Sequence, residues 1–434
     1  MRQLFLIALR NLMQHSKRTL LLGGAIAGVN ALLVFLLCLS AGIHTTMLKS
    51  ATTMSTGHLN VGGFYKVTAG QSAAVITQYP KLAEIVRQTL PNEVELIAPR
   101  GRGWGKLVSE KGSMQAAIGG LDIANEPAFR RIIKVVQGNI DDLARPNSIL
   151  IFEEQAKKLD VKVGDNVVIS SQTTRGMNNT VDVRVVAIGQ DVGIMSAWNV
   201  YVPDDSLRQL MQINKDTTGA LYVYVRDVTQ IPLYMDKLRS ALAAAGFTLM
   251  EREAKPFWQK FESVNREDWT GQKLDLTTWE EEMSFFKWTI AAVDGLMYVL
   301  IVVLLVIIAI GIMNSLWIAI RERTREIGTL RAIGMQRRRV LAMFVIEAFT
   351  LSALATVLGA IVGAVLAGAL DLAGIPVPPG AQMFLLSNTL KFTLDLGSIV
   401  TGMAVITGCT TFIAVIPSIH AARMKPITAM QHIG

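Results

Sequence analysis

The stretch RERTREIGTLRAIGMQRRR, residues 321–339, decides how the rest of the chain is read. It lies between two long apolar segments, and its charge is overwhelmingly positive. Drawn as one helix, it puts Ile327, Leu330 and Gly334 on one face with Ile333 at the margin, while Arg321 and Arg325 point away. A short amphipathic helix with basic ends, held between two membrane spans, suits a lever lying at the cytoplasmic surface. On charge alone the same residues also read as a positive-inside loop that only orients the chain.

Four segments of the 434-residue chain, residues 19–43, 288–320, 340–372 and 394–420, meet the requirement of about 20 mostly apolar residues for a membrane span. With 51% hydrophobic residues and a mean hydropathy of +0.39, the chain is too apolar for an ordinary soluble protein and too interrupted for an all-membrane one. Its net charge of +8 is unevenly placed. Between His44 and Lys287 there are 28 Lys+Arg against 28 Asp+Glu, so the excess lies beside the spans, at Arg2, Arg10, Lys17, Arg18, the 321–339 stretch, Arg423 and Lys425. Basic residues at span ends mark the cytoplasmic side. Both termini and the 321–339 stretch are therefore expected inside, and residues 44–287 and the short loop 373–393 outside. The fold expected is an α-helical membrane protein with four transmembrane helices and a large α+β extracytoplasmic domain between the first and second spans. A basic total of this kind reports topology; no basic–aromatic interleaving points to nucleic acid.

The flanking segments have their own signals. Residues 1–18 carry apolar side chains at helical spacing and read as an interfacial helix, and residues 421–434 as a cytoplasmic tail. The first span reads as retained, because no small-x-small cleavage site follows it. Cys38 and Cys409 both fall inside spans, which leaves the outward domain without a disulfide framework. The second span looks unusually long and is expected to tilt or protrude. Gly359, Gly363 and Gly368 in the third span suit close helix packing.

In the outward domain, residues 58–61, 93–97, 220–226 and 247–250 read as strands, and 81–90 and 232–245 as helices. Two βαβ units split by a β-rich insertion at about 121–203 suggest an α+β sandwich. The insertion reads as a helix at 153–159, a Gly164 turn, and strands at 166–170 and 181–188. Residues 256–287, rich in aromatics, read as a helical stalk into the second span, with packing and an interfacial belt near Trp288 as the role of those rings.

Among single residues, Glu347 is the carboxylate clearly inside a span, and Asn314 is a polar residue deep in another. Arg337 to Arg339 lie two to three turns away and offer Glu347 a partner at the cytoplasmic edge. Asp294 and Asp371 read as interfacial caps. Arg100, Arg102 and Lys106 among glycines form either an anion site or, more simply, a turn-rich loop. Catalytic patterns are missing: there is no phosphate-cradling G-x-x-x-x-G-K-[ST], no H-E-x-x-H and no G-x-S-x-G. His15, His44, His58, His420 and His432 lack metal spacing, so no metal, cofactor or hydrolase of its own is expected.

The wording of several segments adds a resemblance. REIGTLRAIG at 325–334 followed by Phe344-x-x-Glu347-Ala348, ALRNL at 8–12, KRTLLL at 17–22, and IPSIHAARMKPITAM at 416–430 together resemble FtsX/MacB-type ABC transporter permeases of the type VII, or mechanotransmission, class. His420 and Met430 depart modestly from the family's usual wording. STGHLNV at 55–61, IGGLD at 118–122 and RTREIG at 323–328 look like the lipoprotein-releasing LolC/LolE-type branch.

The resemblance implies that 321–339 is a coupling helix docking on a separate cytoplasmic ATPase, with Arg321, Arg325, Glu326, Ile327, Gly328, Leu330, Arg331 and Gly334 as the contact set. It implies that ATP is bound by two copies of that partner, and that a second permease, identical or homologous, completes the membrane part. It places lateral access for a lipid-anchored cargo between the first and second spans, near Leu33, Leu36, Val293, Met297 and Leu300. Lipoprotein release from the inner membrane, with a periplasmic acceptor, is the function expected. Efflux of peptides or antibiotics through an adaptor, or signalling to a cell-wall hydrolase or sensor, are the alternatives.

Overall fold

In the computed structural model, residues 10, 13–14, 16–68, 70–284, 287–378, 381–382 and 385–424 are described. The interfacial helix expected before the first span, and the tail after Met424, lie largely outside them. In chain order, helix α1 (Ser16–Ala51) ends in a π-helical turn (Thr52–Thr56) and is followed by β1 (Leu59–Thr68), β2 (Gln71–Ala73), α2 (Tyr79–Thr89), β3 (Val94–Val108) and β4 (Ser113–Leu121). Next come β5 (Val135–Gly138), β6 (Ser148–Phe152), α3 (Glu153–Leu159), β7 (Asn166–Gln172), β8 (Asn178–Gly189), β9 (Asn199–Pro203) and α4 (Asp204–Met211). The chain continues through β10 (Ala220–Val225), α5 (Ile231–Ala244) and β11 (Gly271–Thr278), then α6 (Lys287–Glu322), α7 (Thr324–Ala332), α8 (Arg337–Ala373) and α9 (Leu396–Arg423). Among the described residues, four helices are long and apolar enough to cross a membrane. The second is not the exceptional one: α1 and α6 each have 36 residues and α8 has 37.

The chain divides into a helical unit, residues 1–45, 290–376 and 389–434, and an α+β unit, residues 46–289 and 377–388. In the helical unit, Ile26 and Leu33 of α1, Ile308, Ile312 and Leu316 of α6, Leu351 and Ala355 of α8, and Ile406 and Ala414 of α9 form one core. Close approach depends on glycine. A Cβ on Gly359 would stand 2.3 Å from the Ala27 carbonyl oxygen, and one on Gly363 2.5 Å from that of Ala31. Gly368 has no such neighbour within 4 Å. Beside this seam the buried Asn30 amide donates to the Thr356 carbonyl at 2.7 Å, a bond worth more where water cannot compete.

The α+β unit has two lobes joined by β3. In the first, the strand order is β11-β1-β10-β3, all antiparallel neighbours, with Leu59 opposite both Val223 and Thr278. Alternating side chains give this sheet one apolar face, Leu59, Val61, Leu221, Val223, Leu274 and Leu276, which α2 and α5 cover with Leu82, Val86, Leu238 and Leu242. This is the pair of split βαβ units read from the sequence, except at the last strand. Residues 247–250 make only one bridge, Leu249 to Leu274, because β11 occupies the edge beside β1.

The second lobe closes on itself. Strands β3, β4, β9, β6, β8 and β7 pair in turn, and β7 returns to β3. Ile118, Ile151, Val167, Ile169, Val183 and Val200 fill this ring. The fifteen residues of β3 serve both lobes, so the glycine run 101–105 is strand and not a turn-rich loop. Its glycines give way to neighbours: a Cβ on Gly105 would lie 2.7 Å from the Ser170 carbonyl oxygen.

Two further expectations change. Residues 256–287 are not a stalk but a 3-10 turn, a short helix (Phe261–Arg266), β11 and a capped turn of helix (Trp279–Glu282). Three of their rings pack inward, Phe257, Phe261 and Trp269 surrounding Phe64 and Val264, whereas Trp258 and Trp288 are exposed. The loop before α9 is also more than a connector, since residues 377–388 belong to the α+β unit and Ser50 donates to the Leu386 carbonyl.

Candidate functional site: the turn between the second and third spans

The 321–339 stretch is not one helix. α6 runs on to Glu322, Arg323 leaves helical geometry at φ −100°, ψ 14°, and α7 occupies only Thr324–Ala332. Gly334 then takes φ +106°, a left-handed value that favours glycine, and Gln336 caps α8. The turn closes through the Met335 N–H to the Leu330 carbonyl at 3.0 Å. Gly334 therefore belongs to the turn and not to the apolar face proposed for it.

Three contacts tie α7 to three different spans. The Thr324 hydroxyl donates to the Ile320 carbonyl of α6 at 2.9 Å. Arg323, just before α7, reaches Glu347 of α8 with Nη1 at 3.1 and 3.3 Å from the two carboxylate oxygens. Arg331 donates to the Ala422 carbonyl of α9 at 3.3 Å. Beneath them Ile327 packs with Ile320, Val340, Phe344 and Ala421. The partner of Glu347 is thus Arg323 and not Arg337, Arg338 or Arg339, which are exposed. Both side chains of the pair are more than nine-tenths buried, so the contact is made away from water.

The sequence-derived contact set splits accordingly. Arg321, Arg325, Glu326 and Gly334 are exposed, Leu330 and Arg331 half-buried, and Ile327 and Gly328 buried. Ile333, which the periodicity left at the margin, is 80% exposed and stands out as an apolar side chain on a charged turn. Elsewhere, Asn314 is exposed on α6. Leu33 is buried in the helical core, while Leu36, Val293, Met297 and Leu300 are half-buried. The two interfacial aspartates have partners: Asp294 meets His44 Nε2 at 2.8 Å, and Asp371 accepts from the Phe392 N–H at 3.2 Å.

In the α+β unit, Arg100 and Arg102 are buried and Lys106 is exposed. Arg100 forms a hydrogen-bonded ion pair with Glu126 and donates to the Thr53 carbonyl at 3.1 Å. With Tyr201 and Tyr224, whose hydroxyls donate to the Met54 and Thr52 carbonyls, it satisfies the backbone of the π-helical turn. Burial raises both tyrosine pKa values, holding these hydroxyls as donors. It also raises the Glu126, Asp275 and Glu282 carboxyls; Arg100, Lys260 and Arg102 respectively pull them back.

Comparison with known proteins fits both units. The family model for the MacB-like periplasmic core domain matches residues 19–241, and that for the FtsX-like permease C-terminal domain matches residues 298–426. A membrane unit of four spans interrupted by such a domain defines an ABC transporter permease. The chain belongs to the FtsX/MacB-like family of these permeases. Among relatives, a macrolide export ATP-binding/permease protein MacB of Nitrobacter winogradskyi is 38% identical over 122 residues, 28% of this chain and 17% of that protein. An uncharacterized ABC transporter permease YvrN of Bacillus subtilis is 30% identical over 122 residues, 28% of this chain and 26% of that one. A MacB protein of a Shewanella species is 25% identical over 442 residues, which takes in 98% of this chain and 60% of its own length. The chain thus spans less than two thirds of each of these relatives.

Proposed function

We propose that this chain is the permease subunit of a bacterial inner-membrane ABC transporter whose ATP is bound and hydrolysed by a separate cytoplasmic ATPase, present in two copies. The observation that carries this reading is α7, a nine-residue helix tied to α6, α8 and α9 at once while Arg325, Glu326 and Ile333 stand exposed. A push on that surface reaches three spans together, because a buried ion pair and a packed core do not yield independently. The basic residues at the span ends support a topology with α7 and both termini in the cytoplasm and the α+β unit in the periplasm. ATPase closure then moves the periplasmic unit against cargo already outside, or partly in the outer leaflet.

The phrases at 55–61, 118–122 and 323–328 favour a lipoprotein as that cargo, taken laterally from membrane lipid near Leu33, Leu36, Val293, Met297 and Leu300 and passed to a periplasmic acceptor. A second reading, efflux with a periplasmic adaptor, is favoured by the macrolide-export names of two relatives. A second permease fits the exposed face of α6, where Val299, Val303, Ile307, Ile310 and Asn314 follow helical spacing. Affinity purification from native membranes tests the proposal. An ATPase at equal stoichiometry, with a second permease or an adaptor choosing the cargo branch, is the expected result; recovery of this chain alone after cross-linking would refute it.

A further inference from the structure

A cavity of about 1120 Å³ opens within the α+β unit, walled by β3 and β4, the π-helical turn and the segment around Phe257. That is ample for a drug-sized ligand. Much of its wall is apolar, including Ile118, Met195, Met211 and Phe257, and Trp104 and Trp198 stack at 6.1 Å while each stays half exposed. Four charged side chains line it: Arg100, Arg102, Lys106 and Glu282.

Arg102 is the anomaly among them. It is 8% exposed, and among the described residues its Nε and Nη2 have no hydrogen-bond partner. Both nearby carboxylates are engaged elsewhere. Asp275 receives Lys260 at 2.8 and 2.9 Å, and Glu282 receives the Thr277 hydroxyl at 2.6 Å and the Phe257 N–H at 3.3 Å. The guanidinium instead lies 4.0 Å from the Phe257 ring centroid, contact that compensates only part of the lost hydration. A buried fork of donors without acceptors matches a carboxylate or phosphate.

We infer that this cavity binds an amphipathic molecule with an apolar body and one anionic head, the head on Arg102 and the body against the methionines and the tryptophan pair. The site lies wholly within the α+β unit and stands whether or not α7 meets an ATPase. With Arg100 matched by Glu126, Arg102 and Lys106 against Glu282 still leave the lining net positive, which gives the sign of the head.

The test uses the full chain in lipid nanodiscs titrated with 11-(dansylamino)undecanoate, read by energy transfer from tryptophan. Saturable transfer is expected, displaced by dodecanoate or dodecyl phosphate and not by dodecanol. Arg102→Gln should weaken binding by roughly tenfold or more, the worth of a charge-assisted hydrogen bond. Ala117→Trp, which narrows the cavity without removing a charged residue, should weaken it. Displacement by dodecanol as effective as by the acids, or undiminished binding by Ala117→Trp, would overturn the assignment.

Discussion

At Gly359 in α8, a methyl group would meet the α1 backbone at 2.3 Å; at Gly311 in α6, nothing stands within 4 Å of the same position. The two spans have similar length and both are apolar enough to cross a membrane, α6 the more so. Yet α8 is pressed into its neighbours by glycine, Asn30 and the Arg323–Glu347 pair on one side while Leu358, Val362 and Val365 stay exposed on the other, and α6 leaves Tyr298, Val299, Val302 and Ile310 exposed. Apolar character alone does not separate a helix that builds the bundle from one that keeps a face for something else. Packing constraints do, and they predict different costs for like substitutions.

The largest effect is expected at the ion pair. Arg323→Ala removes a buried partner of a buried carboxylate and should cost about 3 kcal/mol in unfolding measurements on the detergent-solubilised chain. The double change Arg323→Met with Glu347→Leu should recover most of that stability, because an apolar pair replaces a desolvated one. Next comes the glycine contrast. Gly359→Val should destabilise by about 1–3 kcal/mol through overpacking, and Gly311→Val should stay within about 0.5 kcal/mol. If Gly311→Val instead lowers self-association while the monomer keeps its melting temperature, the exposed face of α6 is where a second copy sits.

The smallest expected effect concerns protons in the α+β unit. Burial, partly offset by Arg102, raises the Glu282 carboxyl above its ordinary 4.5, so the folded state holds a proton that the unfolded chain has released. Its contribution to stability is therefore greatest at low pH and declines as pH rises from 4.5 through the raised value. Glu282→Gln should flatten that part of the profile, seen as a smaller fall in melting temperature between pH 5 and pH 8.

Legibility followed the range of the interactions. The four spans appear as helices, although α1 runs on to Ala51, well past residue 43, and α2, β10, α5 and α3 announce themselves by local period and lie within a few residues of their expected bounds. The strand in 271–278 also has a local signal, since Leu274 and Leu276 alternate with Asp275 and Thr277, but the dense aromatics around it suggested a stalk. Ring closure in the second lobe joins β3 to β7 across more than sixty residues, and no local pattern encodes it. At the candidate site the sequence singled out Glu347 and the 321–339 stretch. It offered Glu347 the arginines two to three turns away along its own helix, whereas the partner found, Arg323, comes from the break before α7. Ile333, read at the margin of one helix, lies just past the end of α7 and is 80% exposed. The unpartnered guanidinium of Arg102 could not be foreseen, since the carboxylates near it, Asp275 and Glu282, come from a distant segment and are engaged by Lys260, Thr277 and the Phe257 N–H.

The central claim is that α7 is where a separate ATPase grips the membrane unit. The most direct measurement places a photo-cross-linking side chain at Ile333 of the full chain in native membranes and identifies what it captures. The account predicts an adduct with an ABC ATPase subunit, diminished when Glu326→Arg is added. Adducts with lipid alone from Ile333, and no ATPase captured there, would contradict it.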